Sequence, residues 1–179
     1  MVKRKQRKHD EIYIAVEQEF LDYLNRRSRR LFLQDFCRPE LMDVARDWAI
    51  ANQVNPRQLC PQAHDQINLK IQGMTAKEIR RLLGIGDREL IRDFFDTDVL
   101  TWYSLINVAA ISLIERGLDP IAAVDKACET CLPPSYVPCP AVKQTSIRLQ
   151  GLDIANRVNK RKQKVVEVQL ELSWNKEAS

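Results

Sequence analysis

The chain has few glycines and few histidines, which limits the chemistry that it can support. Its 179 residues include five glycines and two histidines. A nucleotide-binding enzyme usually holds phosphate in a glycine-rich loop, but the close pair Gly84 and Gly86 lacks a third glycine and a preceding predicted strand. His9 lies in a basic segment and His64 lies beside a predicted helix, so neither position indicates a catalytic general base. We therefore expect neither an enzyme nor a bound cofactor.

The chain also lacks a long uninterrupted apolar run and a secretory signal. Its most apolar stretch, 99–114, contains threonine, serine and asparagine residues and is shorter than the roughly 20 residues needed to cross a bilayer. This stretch predicts a core helix. The basic start is followed by EIYIAVEQEF, whose glutamates exclude the apolar part of a signal peptide. We expect an intracellular, cytoplasmic protein that does not enter a membrane.

Metal-binding patterns are present but incomplete. The five cysteines form no regular disulfide spacing, which favours reduced thiols in an intracellular setting. Thiolates and imidazole at short spacings suit a tetrahedral zinc site, although this chain has a single CxxC and no second one. The possible zinc ligands are Cys60, His64, Cys128, Cys131 and Cys139. The carboxylates between residues 87 and 98 suggest metal-dependent catalysis as a further alternative, but several of them are better explained as helix caps.

Positive charge is concentrated in three short tracts, although the formal net charge is only +4. Such tracts create local positive potential and attract phosphate better than an evenly spread charge does. The alternative is that they are solvated segments that aid solubility. The three basic tracts are Lys3, Arg4, Lys5, Arg7 and Lys8; Arg26, Arg27, Arg29 and Arg30; and Arg157, Lys160, Arg161, Lys162 and Lys164.

Apolar spacing and capping residues predict six or so helices between residues 10 and 131. The first is predicted to run from Asp10 to about Arg27, and the apolar segment after it is predicted to end before Pro39. Further helices are predicted to begin near residues 41, 55, 75, 87, 96 and 119, where caps or prolines precede apolar positions.

The C-terminal part has a different composition. Residues 131–140, CLPPSYVPCP, contain four prolines and predict an extended linker. Residues 145–150 predict a strand, and VVEVQLELSW, 165–174, alternates apolar and polar residues as a second strand would. We expect a C-terminal β-strand pair or ribbon. The edge of strand 165–174 offers one way for two copies to form a homodimer.

These patterns predict a mainly α fold, α+β overall, in which a multi-helix domain is followed by a C-terminal β-ribbon. The predicted division is a basic tail at 1–9, a helical domain at 10–131, a proline-rich linker at 132–141 and a basic β-ribbon extension at 142–179.

Local signals are strongest in TAKEIRRLLGIGDRELIRDF, which begins at Thr75. Thr75 and Glu78 form a capping box, and Gly84 lies where a left-handed residue would end the helix. Asp87 then caps a second predicted helix, 87–95. This stretch resembles the helix-turn-helix motif of bacterial and phage transcription regulators over residues 75–95. The matching positions are Ile79, Leu83, Gly84, Ile85 and Leu90, whereas Arg80 occupies a position where the motif usually has a small residue.

The resemblance implies that helix 87–95 enters the major groove of double-stranded DNA and that Arg88 and Arg92 meet base edges. The hairpin itself has as many acidic as basic residues, so phosphate affinity would come from the basic tracts. The predicted nucleic-acid-binding residues are Arg88, Arg92, Lys77, Arg81, Lys3, Arg4, Lys5, Arg26, Arg27, Arg29, Arg30, Lys160, Arg161, Lys162 and Lys164. The expected function is that of a small DNA-binding regulator or accessory factor of a phage or mobile element.

Two other functions remain open from the sequence. One is an assembly protein that oligomerises through its C-terminal strand and uses its basic tracts for solubility or for an acidic protein partner. The other is RNA binding, because basic tracts do not distinguish between nucleic acids, although no aromatic-rich sheet motif is present.

Overall fold

The computed structural model describes residues 18–86, 88–141 and 143–160. Backbone contacts divide the chain into two compact units, one formed by residues 24–144 and the other by both terminal parts of the chain. We call residues 24–144 the central unit and the described residues 18–23 and 145–160 the terminal unit. The tract 3–8, the cap positions Asp10 and Asp87, residues 161–164 and the predicted strand 165–174 lie outside the described residues.

The described residues of the central unit are helical apart from their connections. They contain α1 at 24–32, a π-helical turn at Leu33–Cys37, α2 at Arg38–Ala51, α3 at Pro56–Gln72, α4 at Ala76–Leu83, a 3-10 turn at Ile91–Phe94, α5 at Thr97–Glu115 and α6 at Pro120–Cys131. Helix α5 packs against α2, α3 and α6, and α4 packs against the 3-10 turn.

The first helix does not end at about Arg27 as predicted, and no break precedes Pro39, because α1, the π-helical turn and α2 follow one another continuously. The backbone N–H of Arg38 donates to the carbonyl of Leu33, which is the i→i−5 bond of a π turn. Pro39 comes directly after this turn, where the ordinary i→i−4 ladder is already interrupted. Its missing N–H therefore does not break the helical segment.

The predicted caps are confirmed for the helices of the central unit. Asn55 accepts from the backbone N–H of Arg57, and Asp96 and Asp119 cap α5 and α6 in the same way. The capping box of Thr75 and Glu78 is complete at the start of α4, and Gly84 ends that helix with a left-handed φ of 60°.

Helix α5 forms where the apolar run predicts a core helix. It buries Leu100, Tyr103, Ile106 and Ala110, and the Tyr103 ring stacks on Phe95 at a centroid distance of 5.5 Å. By length and composition alone α5 would also suit a membrane span, with 39% of its most apolar window buried inside the protein.

The predicted helix 87–95 is wrong. The described residues 88–90 form a turn and a bend, and the only helical part that follows is the single 3-10 turn Ile91–Phe94. The segment packs into the interior, since Ile91, Arg92, Phe94 and Phe95 are all buried, and the Arg26 side chain donates to the carbonyls of Asp93 and Phe95. A helix this short gains little from its own hydrogen bonds, so these contacts with distant residues decide the backbone conformation.

The predicted C-terminal strand pair is also a wrong expectation, since the described residues contain no strand and the α+β class does not hold for them. Residues 147–160 form a helix, α7, across most of the predicted strand 145–150. Ser146 begins it, with its hydroxyl oxygen accepting from Leu149 N at 3.3 Å and its carbonyl accepting from Gln150 N at 2.9 Å. This local cap favours the start of a helix at Ser146, which the alternation of residues in 145–150 does not indicate.

The proline-rich residues 132–141 have no regular secondary structure among those described, but they are held against the end of α3. Tyr136 Oη donates to the Ile71 carbonyl at 2.8 Å, and Cys139 N donates to the same carbonyl at 3.2 Å. Ala141 N donates to Gln72 Oε1 at 2.6 Å. These bonds make the segment part of the central unit.

In the terminal unit, polar and close backbone contacts connect residues 18–23 with α7. The Arg157 guanidinium donates to both carboxylate oxygens of Glu19 at 2.8 Å and also pairs with Asp153. A Cβ placed at Gly151 would lie 2.4 Å from Tyr23 Oη, so glycine allows this close approach.

Candidate functional site

The middle basic tract is split by the helical period into two arginines that hold the fold and two that are exposed. Arg26 is 6% exposed, and it donates from Nε to the Phe95 carbonyl at 2.6 Å and from Nη2 to the Asp93 carbonyl at 2.9 Å. One turn later, Arg30 Nε pairs with Asp93 Oδ1 at 2.6 Å. Both arginines therefore fasten α1 to the segment 93–95.

Arg27 and Arg29 lie on either side of the anchored face of α1, and both are exposed. Neither forms an ion pair with any residue that the structure describes. Their guanidinium groups therefore remain available to an anionic partner.

The predicted DNA-contacting residues of the hairpin are also divided. Lys77 and Arg81 lie one turn apart on the exposed side of α4, and Arg88 is exposed in the turn that follows. Arg80, which departs from the helix-turn-helix pattern, instead closes this turn: its Nη1 donates to the carbonyls of Gly86 at 2.8 Å and Glu89 at 2.7 Å.

Arg92 does not face solvent as the helix-turn-helix resemblance implies. Its side chain is buried, and Nη2 lies 2.7 Å from Nε2 of His64 on α3. Burial, followed by the positive charges of Arg92 and Arg38, lowers the pKa of His64 to about 3. The imidazole is therefore neutral at physiological pH, so Nε2 is the acceptor of this hydrogen bond.

Burial also lowers the pKa of Arg92 to about 10, with a further contribution from the charge of Arg38. At that pKa the guanidinium stays charged at neutral pH. The central unit thus contains a buried cation beside a neutral histidine, with a second arginine close enough to affect both.

This pair belongs to a polar stripe on α3 that the sequence analysis missed. His64, Asn68 and Gln72 are spaced four residues apart and are all buried. Tyr103 Oη donates to Asn68 Oδ1 at 2.8 Å, and burial raises the pKa of this tyrosine. The signal in the sequence was the polar spacing H-x3-N-x3-Q inside an amphipathic helix, which by itself does not show which face is buried.

Three polar atoms in this interior have no hydrogen-bond partner among the described residues. They are Arg92 Nε, Gln72 Nε2 and Asn107 Oδ1. Buried polar groups are nearly always paired, so such atoms indicate either a strained interior or a place where a ligand or water completes the network. Arg92 Nε and Gln72 Nε2 are donors, and both side chains lie near the Tyr103 hydroxyl.

The cysteines do not form a recognisable metal site in the part of the chain that the structure describes. No group of three or more histidine, cysteine, aspartate or glutamate side chains there is close enough to hold a metal ion. Burial raises the pKa of Cys128 to about 12 and also raises the pKa values of Cys60 and Cys131, which opposes the thiolate form that zinc requires.

An apolar surface lies where the π-helical turn meets α5. The rings of Phe32 and Phe36 are 6.0 Å apart and are 46% and 66% exposed. The turn packs against α5, on which Leu105 and Val108 are about half exposed. Exposed aromatic and aliphatic side chains of this size commonly mark contact surfaces.

Of the third basic tract, Arg157 and Lys160 lie on α7 in the terminal unit, where Lys160 is exposed. Arg157 is bound to carboxylates, as described above.

No protein-family model, no curated protein and no solved structure matches this chain. The resemblance to a helix-turn-helix motif therefore gains no support from known proteins. Its first helix and turn are present, and its second helix is the part that the 3-10 turn replaces.

Proposed function

We propose that this protein binds double-stranded DNA through phosphate contacts from exposed arginine and lysine side chains. The side chains are those of Arg27, Arg29, Lys77, Arg81 and Arg88, which are exposed and have no ion-pair partner among the described residues. Phosphate neutralisation supplies most of the affinity of a protein for DNA, so exposed arginine and lysine side chains are suited to this binding.

The observation that carries the proposal is the way in which the middle basic tract is anchored. Arg26 and Arg30 bind segment 93–95, which fixes α1 and leaves Arg27 and Arg29 exposed on either side of the anchored face. Cations on a fixed helix lose less conformational freedom on binding than cations on a mobile chain do. Arg88 precedes the anchored segment by only a few residues, so exposed cations of both sequence regions belong to the same unit.

This form of the proposal differs from the expectation of a recognition helix. Arg92 is buried, and no α-helix follows the turn at 84–90 to enter the major groove. Binding without such a helix relies on the backbone of DNA and has little sequence preference.

The test is fluorescence anisotropy with a labelled duplex over a range of salt concentrations. Each phosphate contact contributes about −0.9 to the slope of log affinity against log salt concentration, so the double variant Arg27→Gln and Arg29→Gln is expected to reduce the slope by about two. Arg46→Gln is the matched control, because Arg46 is an exposed arginine already paired with Asp43 and close to Asp47. Absence of salt-sensitive binding at low ionic strength would contradict the proposal.

A second candidate function is assembly with another copy of the chain through the apolar surface of Phe32, Phe36, Leu105 and Val108. It is favoured by the exposed ring pair, since exposed aromatic residues dominate many protein interfaces. Light scattering of the wild type and of Phe36→Ser tests it. A wild-type monomer at high concentration rules this function out, and loss of an oligomer in Phe36→Ser supports it.

A further inference from the structure

Arg92 is a buried cation that lacks an anionic partner. Its Nε has no hydrogen-bond partner among the described residues, and the one bond given for its guanidinium is to the neutral ring of His64. Burying a charged group without a counter-charge costs several kcal/mol, which is why buried arginines normally pair with carboxylates or phosphates.

The nearest acidic residue in sequence does not fill this role. Asp93 directs its carboxylate to Arg30, with Oδ1 2.6 Å from Arg30 Nε. Glu89, which precedes Arg92 by one turn, directs Oε2 to the backbone N–H of Gly86 at 2.9 Å. Both carboxylates therefore bind other groups, and Asp93 acts on Arg92 through its charge without a hydrogen bond to the Arg92 guanidinium.

A second arginine, Arg38, approaches the same place from the start of α2. It is exposed, it forms no ion pair with a described residue, and its charge affects both His64 and Arg92. Arg92 and His64 are buried while Arg38 is exposed, so Arg38 marks the side of the cluster that is open to solvent.

The π-helical turn explains how Arg38 comes to lie on this side. Arg30 and Arg38 are eight residues apart, which in a regular α-helix is roughly 80° more than two turns. A π turn takes up one additional residue, and the bond from Arg38 N to Leu33 O places it between the two arginines. The spacing then corresponds to about seven α-helical residues, which is within roughly 20° of two complete turns.

We propose that Arg38, Arg92 and His64 form a binding site for a single phosphate group. Arg92 Nε is a buried donor with no partner among the described residues, and Arg38 supplies an exposed guanidinium. An arginine presents donors in a planar fork that matches two oxygens of a phosphate, so two arginines complement one tetrahedral oxyanion. His64, as a neutral acceptor for Nη2, orients the Arg92 fork and is a positioning residue.

The ligand is a phosphate group that comes either from free inorganic phosphate or from a terminal phosphate of a nucleic acid. Because Arg92 and His64 are buried, the end of a nucleic-acid chain reaches them more readily than the continuous backbone of a duplex does. The proposal goes beyond the exposed cations that contact DNA and does not depend on them, because none of Arg27, Arg29, Lys77, Arg81 or Arg88 takes part.

The first experiment measures thermal unfolding of the full chain in inorganic phosphate against sodium chloride of equal ionic strength. A ligand that binds only the folded state stabilises it by RT ln(1 + [L]/Kd), so Tm keeps rising with ligand concentration above Kd. We expect phosphate to raise Tm in this way and Arg38→Gln to raise the Kd fitted from this dependence about ten-fold or more, since a bond to a charged group is lost. Arg38 is exposed, so this variant tests binding without removing a buried side chain.

Arg57→Gln is the matched control. Arg57 is an exposed arginine at the start of α3, the helix that carries His64, and its side chain forms no ion pair with described residues. Its phosphate response is expected to equal that of the wild type. No rise of Tm with phosphate concentration in the wild type beyond that in sodium chloride, or an equal rise in Arg38→Gln, overturns the proposal.

A second measurement separates ligand binding from a purely structural role. Proton NMR of the His64 ring is expected to show that phosphate raises the pKa of His64, because an anion offsets the charges of Arg92 and Arg38. An unchanged pKa at saturating phosphate overturns the assignment of the site to this cluster.

Two duplexes that differ only in a 5′-terminal phosphate then identify the source of the ligand. Tighter binding of the phosphorylated duplex in the wild type, but not in Arg38→Gln, assigns the site to nucleic-acid ends. Equal binding, together with the inorganic phosphate response, assigns it to free phosphate. The DNA-binding proposal fails separately, when neither duplex shows salt-sensitive binding.

Discussion

The two halves of segment 75–95 fold by different rules. Residues 75–86 form a helix, a left-handed glycine and a closed turn, with bonds mostly inside the segment, such as the capping box and the Arg80 bonds to Gly86 and Glu89. Residues 88–95 are held mainly by distant residues, because Arg26 and Arg30 bind 93–95 and His64 binds Arg92. Local signals therefore predict the first half and fail for the second.

The difference shows where the interior of the central unit imposes its own geometry. The observed 3-10 turn is flanked by the extended residues Leu90 and Phe95 and buries Ile91, Arg92 and Phe94. This conformation also lets the carbonyls of Asp93 and Phe95 accept from Arg26. Burial of two phenylalanines and an isoleucine outweighs the regular helical hydrogen bonds of a segment this short. Four measurements test whether this contrast is correct, in order of expected effect.

The largest effect is expected from Phe95→Ala. Phe95 is fully buried and stacks on Tyr103, so its removal leaves a cavity where segment 88–95 meets α5. The free energy of unfolding is expected to fall by about 3–5 kcal/mol in denaturant titration. Leu82→Ala on the exposed side of α4 is the control and should change it by less than about 0.5 kcal/mol. Similar losses in both variants would show that 88–95 is not held by the core.

Arg26→Met comes next. It keeps the length of the side chain but leaves the carbonyls of Phe95 and Asp93 without their donor. We expect a loss of about 2–3 kcal/mol in the free energy of unfolding, because these bonds come from a charged group in a buried position. Arg27→Met, on the exposed side of the same helix, is expected to be nearly neutral. Equal effects at 26 and 27 would contradict the division of the tract.

A pH effect follows from His64. Its pKa is about 3 in the folded chain and close to 6.5 when unfolded. The unfolded state therefore binds more protons between these values, so stability is fully present above pH 6.5 and is lost as the pH falls towards 3. At pH 5 this loss amounts to about 2 kcal/mol.

The measurement compares unfolding of the wild type and His64→Gln at pH 7.5 and pH 5, because subtracting the variant removes the contribution of the carboxylates. The wild type should lose more stability than the variant on acidification. Parallel losses would show that the neutral ring of His64 is not required for folding.

The smallest effect is expected from Thr75→Ala, which removes the local cap of α4. Loss of an N-cap costs about 1 kcal/mol. Thr130→Ala is the control, because Thr130 is exposed near the end of α6 and caps nothing. Hydrogen exchange of α4 amides locates the change, which should leave 88–95 protected. A loss of protection in 88–95 as large as in α4 would show that the two halves fold as one.

Only part of the candidate site could be predicted from the sequence. The sequence identified Arg26, Arg27, Arg29 and Arg30 as a basic tract, but contacts with 93–95 decide which two are structural. The sequence predicts that Arg92 contacts DNA, because a helical period from Asp87 would place its side chain on the exposed face. Arg92 is instead buried, because the segment forms a 3-10 turn that no local sequence signal predicts. Arg38 and its link to His64 depend on the π turn, which single-residue patterns do not show.

The sequence by itself determined the helix starts, because a cap or a proline acts on the few residues after it. Asn55, Thr75, Asp96 and Asp119 all begin helices as their side chains predict, and Gly84 ends one. Only the tertiary structure decided the course of 88–95, the continuous helical run through Pro39 and the pairing of Arg92 with His64. The bonds to Arg92 and to segment 93–95 come from residues 28 to 69 positions away in sequence, and such contacts outweigh local preference.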